Sequence, residues 1–236
     1  MLSFVVPAFN EERELSASLE AIRAAAEDAD HPFEIIVVDD ASTDATADIA
    51  RRAGAHVIPV NFRQIAAVRN AGGRAAVGDV LFFVDADTHI LPSHVTEALA
   101  AVDAGCPGGG ARVKVAGPIP LWARFYIRMF CAIYFGLNFG AGAFLFTTRR
   151  NFLAIGGFEE EFFAGEEVYF TMALKKLGRF QLLRDPVTTS GRKLRMHSAR
   201  TVLGQSLAIL VGGERSLRSR TKLDLWYDGK REKRAA

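Results

Sequence analysis

The chain has 236 residues, of which 50% are hydrophobic and 24% are charged, a composition that supports a buried core and excludes an intrinsically disordered protein. Its formal net charge of only +2 argues against nucleic acid as the principal partner. The two cysteines, Cys106 and Cys131, form no C-x-x-C pair, and the N-terminus lacks the basic segment of a signal peptide. We therefore expect a protein of the reducing cytoplasm.

The first half of the chain alternates short β-branched segments with amphipathic helical patterns. Strands are predicted at residues 2–6, 33–38, 57–60 and 80–84. Helices are predicted from about residue 11, in a short segment running to Gly54, and over residues 65–77. Asn10 is placed to cap the first helix, and Ser42, Thr43 and Asp44 offer capping oxygens to the second. This alternation is typical of an α/β fold with a mainly parallel sheet and helices on both faces.

The alternation loosens in the second half. Helices are predicted at residues 92–102, 122–135, 166–177 and 201–211, with strands at 112–115 and 143–147 and a glycine-rich connection at 108–110. No internal repeat is present. We predict a single domain over residues 1–212 and a basic tail over residues 213–236.

Residues 129–148 carry no charge, and a stretch of this length is a candidate membrane span. Gly136, Gly140 and Gly142 interrupt it, and its two halves differ in character. We therefore favour a buried helix followed by a buried strand over a membrane span.

Two carboxylates directly follow the apolar segment VLFFV. Asp85 and Asp87 are two positions apart, so both side chains leave the carboxyl end of a buried strand in the same direction. Open parallel sheets bind ligands at that edge, and a carboxylate pair there can hold a divalent cation bound to the phosphates of a nucleotide. A solvated loop with two acids is the simpler alternative.

A second acidic pair ends another predicted strand. Asp39 and Asp40 close the segment IIVVDD at the same edge of the sheet, where a carboxylate can accept hydrogen bonds from a nucleobase or from ribose. Helix capping is the alternative role, but the oxygens of Ser42 and Asp44 already serve that purpose.

Four motifs occur in one order along the chain: VVPAFNEE at residues 5–12, VVDDASTD at 37–44, VRNAG at 68–72 and FVDAD at 83–87. Together they resemble the successive motifs of family 2 glycosyltransferases with the GT-A fold. The similarity continues through residues 142–158 and 165–178, and it weakens after Pro186. The resemblance implies a single GT-A domain with a Rossmann-like, mainly parallel sheet.

The resemblance also implies roles for individual residues. The nucleotide of the donor would contact Pro7, Phe9, Asp40, Arg69 and Asp85. A divalent metal, Mg²⁺ or Mn²⁺, would be held by Asp87 with support from Asp85. These positions imply a nucleotide-diphosphate sugar as donor.

The acceptor side departs from the family pattern. The family usually has Glu-Asp, of which the second acid is the base that deprotonates the acceptor, whereas this chain has Glu166-Glu167. The resemblance implies that Glu167 is the base and that the reaction inverts the anomeric carbon. Stabilisation of a helix N-terminus by the two acids is the alternative interpretation.

Two basic segments complete the sequence. Arg192 and Lys193 follow Ser190-Gly191 and could bind the diphosphate, with a solvated loop as the alternative, and His197 is a weak candidate metal ligand. The tail mixes basic residues with Leu217, Leu223, Leu225 and Trp226. Together with the aromatic helix at 122–135, it suggests peripheral contact with the inner membrane face and an acceptor that is lipid-linked.

Other functions are compatible with an α/β sheet that has a nucleotide site. A dinucleotide-binding dehydrogenase would need G-x-G-x-x-G after the first strand, and a P-loop enzyme would need G-x-x-x-x-G-K-[ST], and neither motif is present. A nucleotidyltransferase remains open. So does a protein that binds nucleotide sugars, or serves as a membrane-attached scaffold, without catalysing transfer.

Overall fold

The computed structural model describes residues 1–196, 198–202, 204, 213, 217 and 218, and for Lys193 and Leu194 it describes the backbone only. His197, the Lys193 side chain, most of the helix predicted at 201–211 and nearly all of the basic tail therefore lie outside the described residues. The elements that follow belong to the described part of the chain.

Strands and helices alternate along the described residues. The strands are β1 (Leu2–Ala8), β2 (Phe33–Asp40), β3 (His56–Val60), β4 (Val80–Val84), β5 (Thr88–His89), β6 (Gly108–Gly110), β7 (Val113–Ala116), β8 (Phe144–Thr148), β9 (Gln181–Leu182) and β10 (Val187–Ser190). The helices are α1 (Leu15–Asp28), α2 (Thr46–Arg52), α3 (Ile65–Ala75), α4 (Pro92–Asp103), α5 (Leu121–Gly136), α6 (Arg149–Ala154), α7 (Glu166–Leu177) and α8 (Arg192–Met196).

The main sheet has the strand order β3-β2-β1-β4-β8-β6-β9. The first four strands in that order are parallel, so their carboxyl ends meet at one edge. β8 joins β4 in the antiparallel direction. The prediction of a mainly parallel Rossmann-like sheet is confirmed. Asp40 at the end of β2 and Asp85 after the end of β4 therefore lie at the same edge of the sheet.

Apolar residues cover both faces of this sheet. Alternate residues along β1 and β4 face opposite sides, so that Phe4 and Phe82 join one core while Val5 and Phe83 join the other. α1, α2 and α4 supply the first core, and α3, α6 and α7 supply the second. Strands that are buried on both faces need continuous apolar sequences, as in VLFFV.

A smaller sheet stands beside the edge that carries the acidic residues. Its strand order is β5-β10-β7, with β10 parallel to β7 and antiparallel to β5. The segment Asp85-Ala86-Asp87, called the DAD motif below, ends directly before β5. The smaller sheet therefore fixes the loop that carries the second carboxylate of this motif. It also brings Thr189 to hydrogen-bonding distance of that carboxylate, 3.3 Å from its Oδ1.

Two local predictions were wrong. Asn10 does not cap α1, because that helix begins four residues later than predicted. The backbone of Asn10 is left-handed (φ 53°), and the Asn10 Oδ1 accepts a hydrogen bond from the backbone N–H of Thr43.

The second wrong prediction is the glycine-rich connection at 108–110, which is the strand β6. Glycine is needed there because a Cβ on Gly109 would lie 2.2 Å from the carbonyl oxygen of Gln181 on β9. Asp44 precedes the N-cap residue of α2, Ala45, and its carboxylate accepts a hydrogen bond from the N–H of Thr46, the first residue of that helix.

The uncharged stretch 129–148 forms a helix and a strand, as predicted, but the helix is not buried. β8 is buried through Phe146 and its neighbours, whereas in α5 only Ala123 is buried. No helix in the described part of the chain combines the length and the hydropathy needed to cross a bilayer. The prediction of a buried helix failed because it rested on hydropathy, which does not reveal whether a partner exists to cover the apolar face.

Candidate active site

The candidate site lies at the carboxyl ends of β1, β2 and β4. The DAD motif leaves β4 at this edge, Asp40 ends β2, and α3 and α7 approach from the second face of the sheet. The chain thus brings acids that are more than 120 residues apart in sequence into one region.

Arg69 is the centre of this region. Its Nη1 lies 2.5 Å from Glu166 Oε1, and its Nη2 lies 2.8 Å from Asp85 Oδ1 and donates to the carbonyl oxygen of Gly142. Only 3% of the Arg69 side chain is exposed. Burial lowers the pKa of Arg69, but Asp85 and Glu166 outweigh this effect, so the pKa is raised and the guanidinium stays charged.

The two neighbouring acids of α7 point to different partners. Glu166 is directed to Arg69, while Glu167 lies beside Tyr134 of α5, whose hydroxyl is 3.4 Å from Glu167 Oε1 and also donates to the carbonyl oxygen of Gly140. Consecutive helical residues are about 100° apart, which accounts for this divergence. The structure thus separates the two carboxylates.

The environment of Glu167 opposes its ionisation. Burial and, to a smaller extent, the Glu166 carboxylate raise the pKa of Glu167 to about 8, against the opposing effects of a backbone hydrogen bond and Arg69. Burial, with the charges of Glu167 and Glu166, also raises the pKa of Tyr134 well above its usual range, so its hydroxyl remains a donor. A carboxylic acid that titrates near neutral pH suits a general base.

The second carboxylate of the DAD motif faces a different arginine. Arg192 Nη2 lies 3.4 Å from Asp87 Oδ2, and the same guanidinium forms a bidentate ion pair with the Glu11 carboxylate. Arg192 was predicted near the diphosphate, and the structure does bring it to the candidate metal ligand Asp87. Glu11 was missed by the sequence analysis as a neighbour of these groups, although it lies in the PAFNEE segment, which begins within the end of β1.

The loop after β3 closes the part of the site next to β2. Asp40 accepts hydrogen bonds at Oδ1 from the backbone N–H groups of Phe62 (2.7 Å) and Arg63 (3.0 Å). Arg63 stacks over the ring of Phe9, 3.4 Å from its centroid, while Pro7 is buried within β1. Arg63 was missed by the sequence analysis, although its position just past a parallel strand could have indicated it, since such strands end at this edge.

Among the described residues, no group of three or more His, Cys, Asp or Glu side chains converges on a point that could hold a metal. Asp85 and Asp87 lie close to Arg69 and Arg192 respectively. Mg²⁺ and Mn²⁺ are commonly bound by only one or two carboxylates, with water and substrate phosphates completing the shell. The oxygen ligands of the DAD motif therefore fit such an ion bound together with a nucleotide.

Comparison with known sequences identifies the group of proteins to which this site belongs. The sequence model for "Glycosyl transferase family 2" matches residues 3–170, more than half of the chain. The chain belongs to glycosyl transferase family 2. The matched residues include all four motifs that the sequence analysis compared with this family, and they extend through Glu166 and Glu167.

Curated relatives match a shorter part of the chain. An undecaprenyl-phosphate 4-deoxy-4-formamido-L-arabinose transferase of Pseudomonas syringae pv. syringae is 35% identical over 112 residues, or 44% of this chain and 33% of the relative. A transferase of the same name from Pectobacterium carotovorum is 37% identical over 102 residues, or 40% of this chain and 31% of the relative. The matched part of this chain spans about a third of the length of these family 2 relatives.

Solved structures confirm the GT-A fold. A mannosyltransferase from Pyrobaculum calidifontis, solved with GDP-Man and Mn²⁺, has a TM-score of 0.66 at 19% identity and covers 97% of this chain and 68% of its own. S. aureus TarS, solved with UDP-GlcNAc, has a TM-score of 0.63 at 21% identity and covers 97% of this chain and 71% of its own. At these identities the similarity establishes the fold alone.

Proposed function

We propose that this chain moves a sugar from a nucleotide-diphosphate donor to a hydroxyl or phosphate of an acceptor, with inversion at the anomeric carbon. The observation that carries this proposal is the contact of Arg69 with both Asp85 and Glu166, next to Glu167. It joins the donor side of the sheet edge to the acceptor side, as a displacement between two bound substrates requires.

Glu167 is the proposed base. It takes the proton of an acceptor hydroxyl as the acceptor oxygen bonds to the anomeric carbon and the bond from that carbon to the diphosphate breaks. Glu166 is unsuited to this role because its carboxylate already neutralises the buried Arg69. Arg69 and Glu166 are positioning residues that hold the DAD motif against α7.

The proposed nucleotide site uses Asp40, Phe9 and Pro7 for the base and ribose, with Asp85 and Arg69 nearby. Asp40 is buried at the carboxyl end of β2, and Arg63 over Phe9 already forms a planar surface beside it. Arg192, with Lys193 as a second candidate, would bind the diphosphate through guanidinium and ammonium groups. Arg192 would then exchange its contact with Glu11 for the donor.

We propose that Asp87, supported by Asp85, holds Mg²⁺ or Mn²⁺. Such an ion, when bound, neutralises the charge that develops on the departing diphosphate. The Mn²⁺ complexes of the P. calidifontis mannosyltransferase and of M. tuberculosis glucosyl-3-phosphoglycerate synthase support this assignment by analogy of fold. Within this chain, the contact between Asp87 and the Arg192 guanidinium supports it, because a cationic group already occupies this position.

We propose a lipid-linked phosphate or hydroxyl as the acceptor and a peripheral position on the cytoplasmic face of the membrane. The names of the curated relatives, which are undecaprenyl-phosphate transferases, support this acceptor class. The basic residues of the tail support attachment to anionic headgroups.

The proposal is tested by incubating the full chain with UDP- and GDP-sugars, Mn²⁺ and a set of polyprenyl phosphates and alcohols in detergent. Release of nucleotide together with formation of a glycosylated lipid is the expected result. Glu167→Gln serves as the matched control, because it keeps the shape of the side chain but cannot accept the proton. Binding of a nucleotide sugar without turnover on any acceptor would instead identify a binding protein.

A further inference from the structure

α5 carries an unusual amount of exposed apolar surface. Five large apolar side chains recur at every fourth position along it and into the following turn, where residues four apart are neighbours on the helix surface. Their exposed fractions are 80% for Leu121, 73% for Phe125, 50% for Met129, 61% for Ile133 and 60% for Leu137. We call this row of side chains the α5 ridge.

The α5 ridge is continuous with further apolar surface. Phe130, 49% exposed, stacks between Tyr126 and Tyr134 along the helix. Monomeric soluble proteins seldom leave such a large contiguous apolar patch in water, so the patch indicates a binding surface.

The charged residues close to α5 in the sequence have one sign. Between Asp103 and Glu159 the sequence contains no acidic residue, and the charged side chains in that interval are six arginines and lysines. Four of these, Arg112, Lys114, Arg124 and Arg128, border a groove of about 630 Å³ between α5 and β7. The groove also has apolar walls, which include Ile127 and Phe135 of α5. It lies beside the α5 ridge, since none of the five ridge side chains lines it.

We propose that α5 is a docking surface for an anionic phospholipid bilayer and lies in the plane of the interface. An apolar helix face flanked by arginines binds such membranes by burying its apolar side chains below the headgroups while the cations pair with lipid phosphates. A protein partner with an acidic rim would satisfy the charges but is a different occupant, which the test distinguishes. With 16 residues, α5 is about 24 Å long, too short to span the hydrocarbon layer.

This assignment rests on the proposed lipid-linked acceptor and names the surface that would reach it. Tyr134 belongs to α5 and contacts Glu167, so the docked helix would hold the acceptor side of the site against the bilayer. A phosphate or hydroxyl at the headgroup level would then approach the proposed base without leaving the membrane. The basic tail, by contrast, would contribute attachment without orientation.

The first experiment measures sedimentation of the full chain with vesicles of phosphatidylcholine alone and of phosphatidylcholine with phosphatidylglycerol, without any donor or acceptor. Wild type should bind the anionic vesicles, and Phe125→Ser/Ile133→Ser should lower the partition coefficient about tenfold or more. Leu153→Ser/Leu177→Ser is the matched control, because those side chains are also large, apolar and about half exposed (51% and 50%) but lie on other helices, so their loss should change nothing. Arg124→Gln/Arg128→Gln should reduce the preference for anionic over neutral vesicles.

A second measurement locates the helix itself. The chain has two tryptophans, so Trp226→Phe leaves Trp122 of α5 as a single fluorophore, whose emission should be quenched by brominated phospholipids. Vesicle binding that is unaffected by Phe125→Ser/Ile133→Ser, or an unquenched Trp122 in bound protein, would overturn the proposal. So would a dimer in vesicle-free solution that the same double substitution dissociates, because the ridge would then be an interface between copies. Binding of UDP or GDP, measured on the same variants, reports separately on the proposed transferase.

Discussion

Arg69 Nη1 lies 2.5 Å from Glu166 Oε1, and only 3% and 6% of the two side chains are exposed. One residue comes from α3 and the other from α7, so this ion pair connects the proposed donor and acceptor sides of the site. Nε of Arg69 is buried without a hydrogen-bond partner among the described residues. Such a pair contributes little net stability when intact but is costly to break from one side.

Arg69→Met should therefore destabilise the protein by about 3 kcal/mol, because Glu166 would remain buried without its cation. Arg69→Met/Glu166→Gln should recover part of that loss, since neither charge is then left alone. Urea unfolding of the two single variants and the double variant measures the coupling. Additive losses would show that the two residues do not depend on each other.

Glu167→Gln should lower turnover with a hydroxyl acceptor by about 10²-fold or more while leaving nucleotide affinity nearly unchanged, because the base acts in the transition state. Glu166→Gln should have a smaller effect on turnover and a larger one on acceptor affinity. Single-turnover transfer and calorimetric donor binding separate the two roles. If Glu167→Gln kept near-normal transfer while Glu166→Gln lost transfer, then Glu166 would be the base and Glu167 would not.

The raised pKa of Glu167 predicts the pH dependence of catalysis. With a pKa of about 8, the carboxylate is mostly protonated at pH 7, so kcat/KM for a hydroxyl acceptor should rise with pH and level off above about pH 8. An acceptor phosphate ester ionises near pH 6 and needs no base, so its profile should lack this rise. Steady-state rates from pH 5.5 to 9.5 with both acceptor types test this, and a flat hydroxyl profile contradicts it.

The same carboxyl group links pH to stability. The folded protein binds its proton up to about pH 8, whereas the unfolded chain releases it near pH 4.5, so ionisation of Glu167 lowers the stability of the fold as pH rises between these values. Glu167→Gln cannot ionise and should raise Tm relative to wild type at pH 9 but not at pH 4.5. Thermal unfolding at the two pH values measures the difference, and an equal shift at both would point to packing.

Asp87→Ala should abolish the part of UDP or GDP binding that depends on Mn²⁺ or Mg²⁺, since Asp87 is the proposed metal ligand. Asp103→Ala, which removes an exposed acid at the end of α4, is the control and should bind as wild type does. Calorimetric titration with and without the metal provides the measurement. Metal-dependent binding that survives in Asp87→Ala would remove this residue from the site.

Gly72→Ala should destabilise the protein by about 1–3 kcal/mol, because a Cβ at Gly72 would lie 2.3 Å from Val5 Cγ1 and 2.9 Å from Val38 Cγ2. The substitution would push α3, and with it Arg69, away from the sheet, so nucleotide binding should weaken as well. Gly136→Ala in α5 meets no atom within 4 Å and should be neutral or slightly stabilising. Urea unfolding compares the two, and equal effects would show that α3 has room to adjust.

The site residues nearest to strand ends could be predicted from sequence because local pattern and sheet geometry together determine their position. VLFFV must be a strand covered on both faces, and the residues that follow a parallel strand lie at the ligand-binding edge, so Asp85, Asp87 and Asp40 follow from pattern alone. The contacts of Arg192 could not be predicted, because this residue pairs with Asp87 and with Glu11, which is 181 positions away, only through the chain's long-range packing.

The sequence by itself determined the alternation of strands and helices, the sheet edge that carries the acids and the family motifs, since each depends on periodicity or on residues close in the chain. Only the tertiary structure decided which arginine each acid contacts and that α5 is exposed. Hydropathy measures how unfavourable it is to leave the apolar side chains of α5 in water. The hydropathy of this segment is the same whether the helix packs against the sheet or faces outward. Which of these occurs depends on the surfaces that the rest of the fold has already covered.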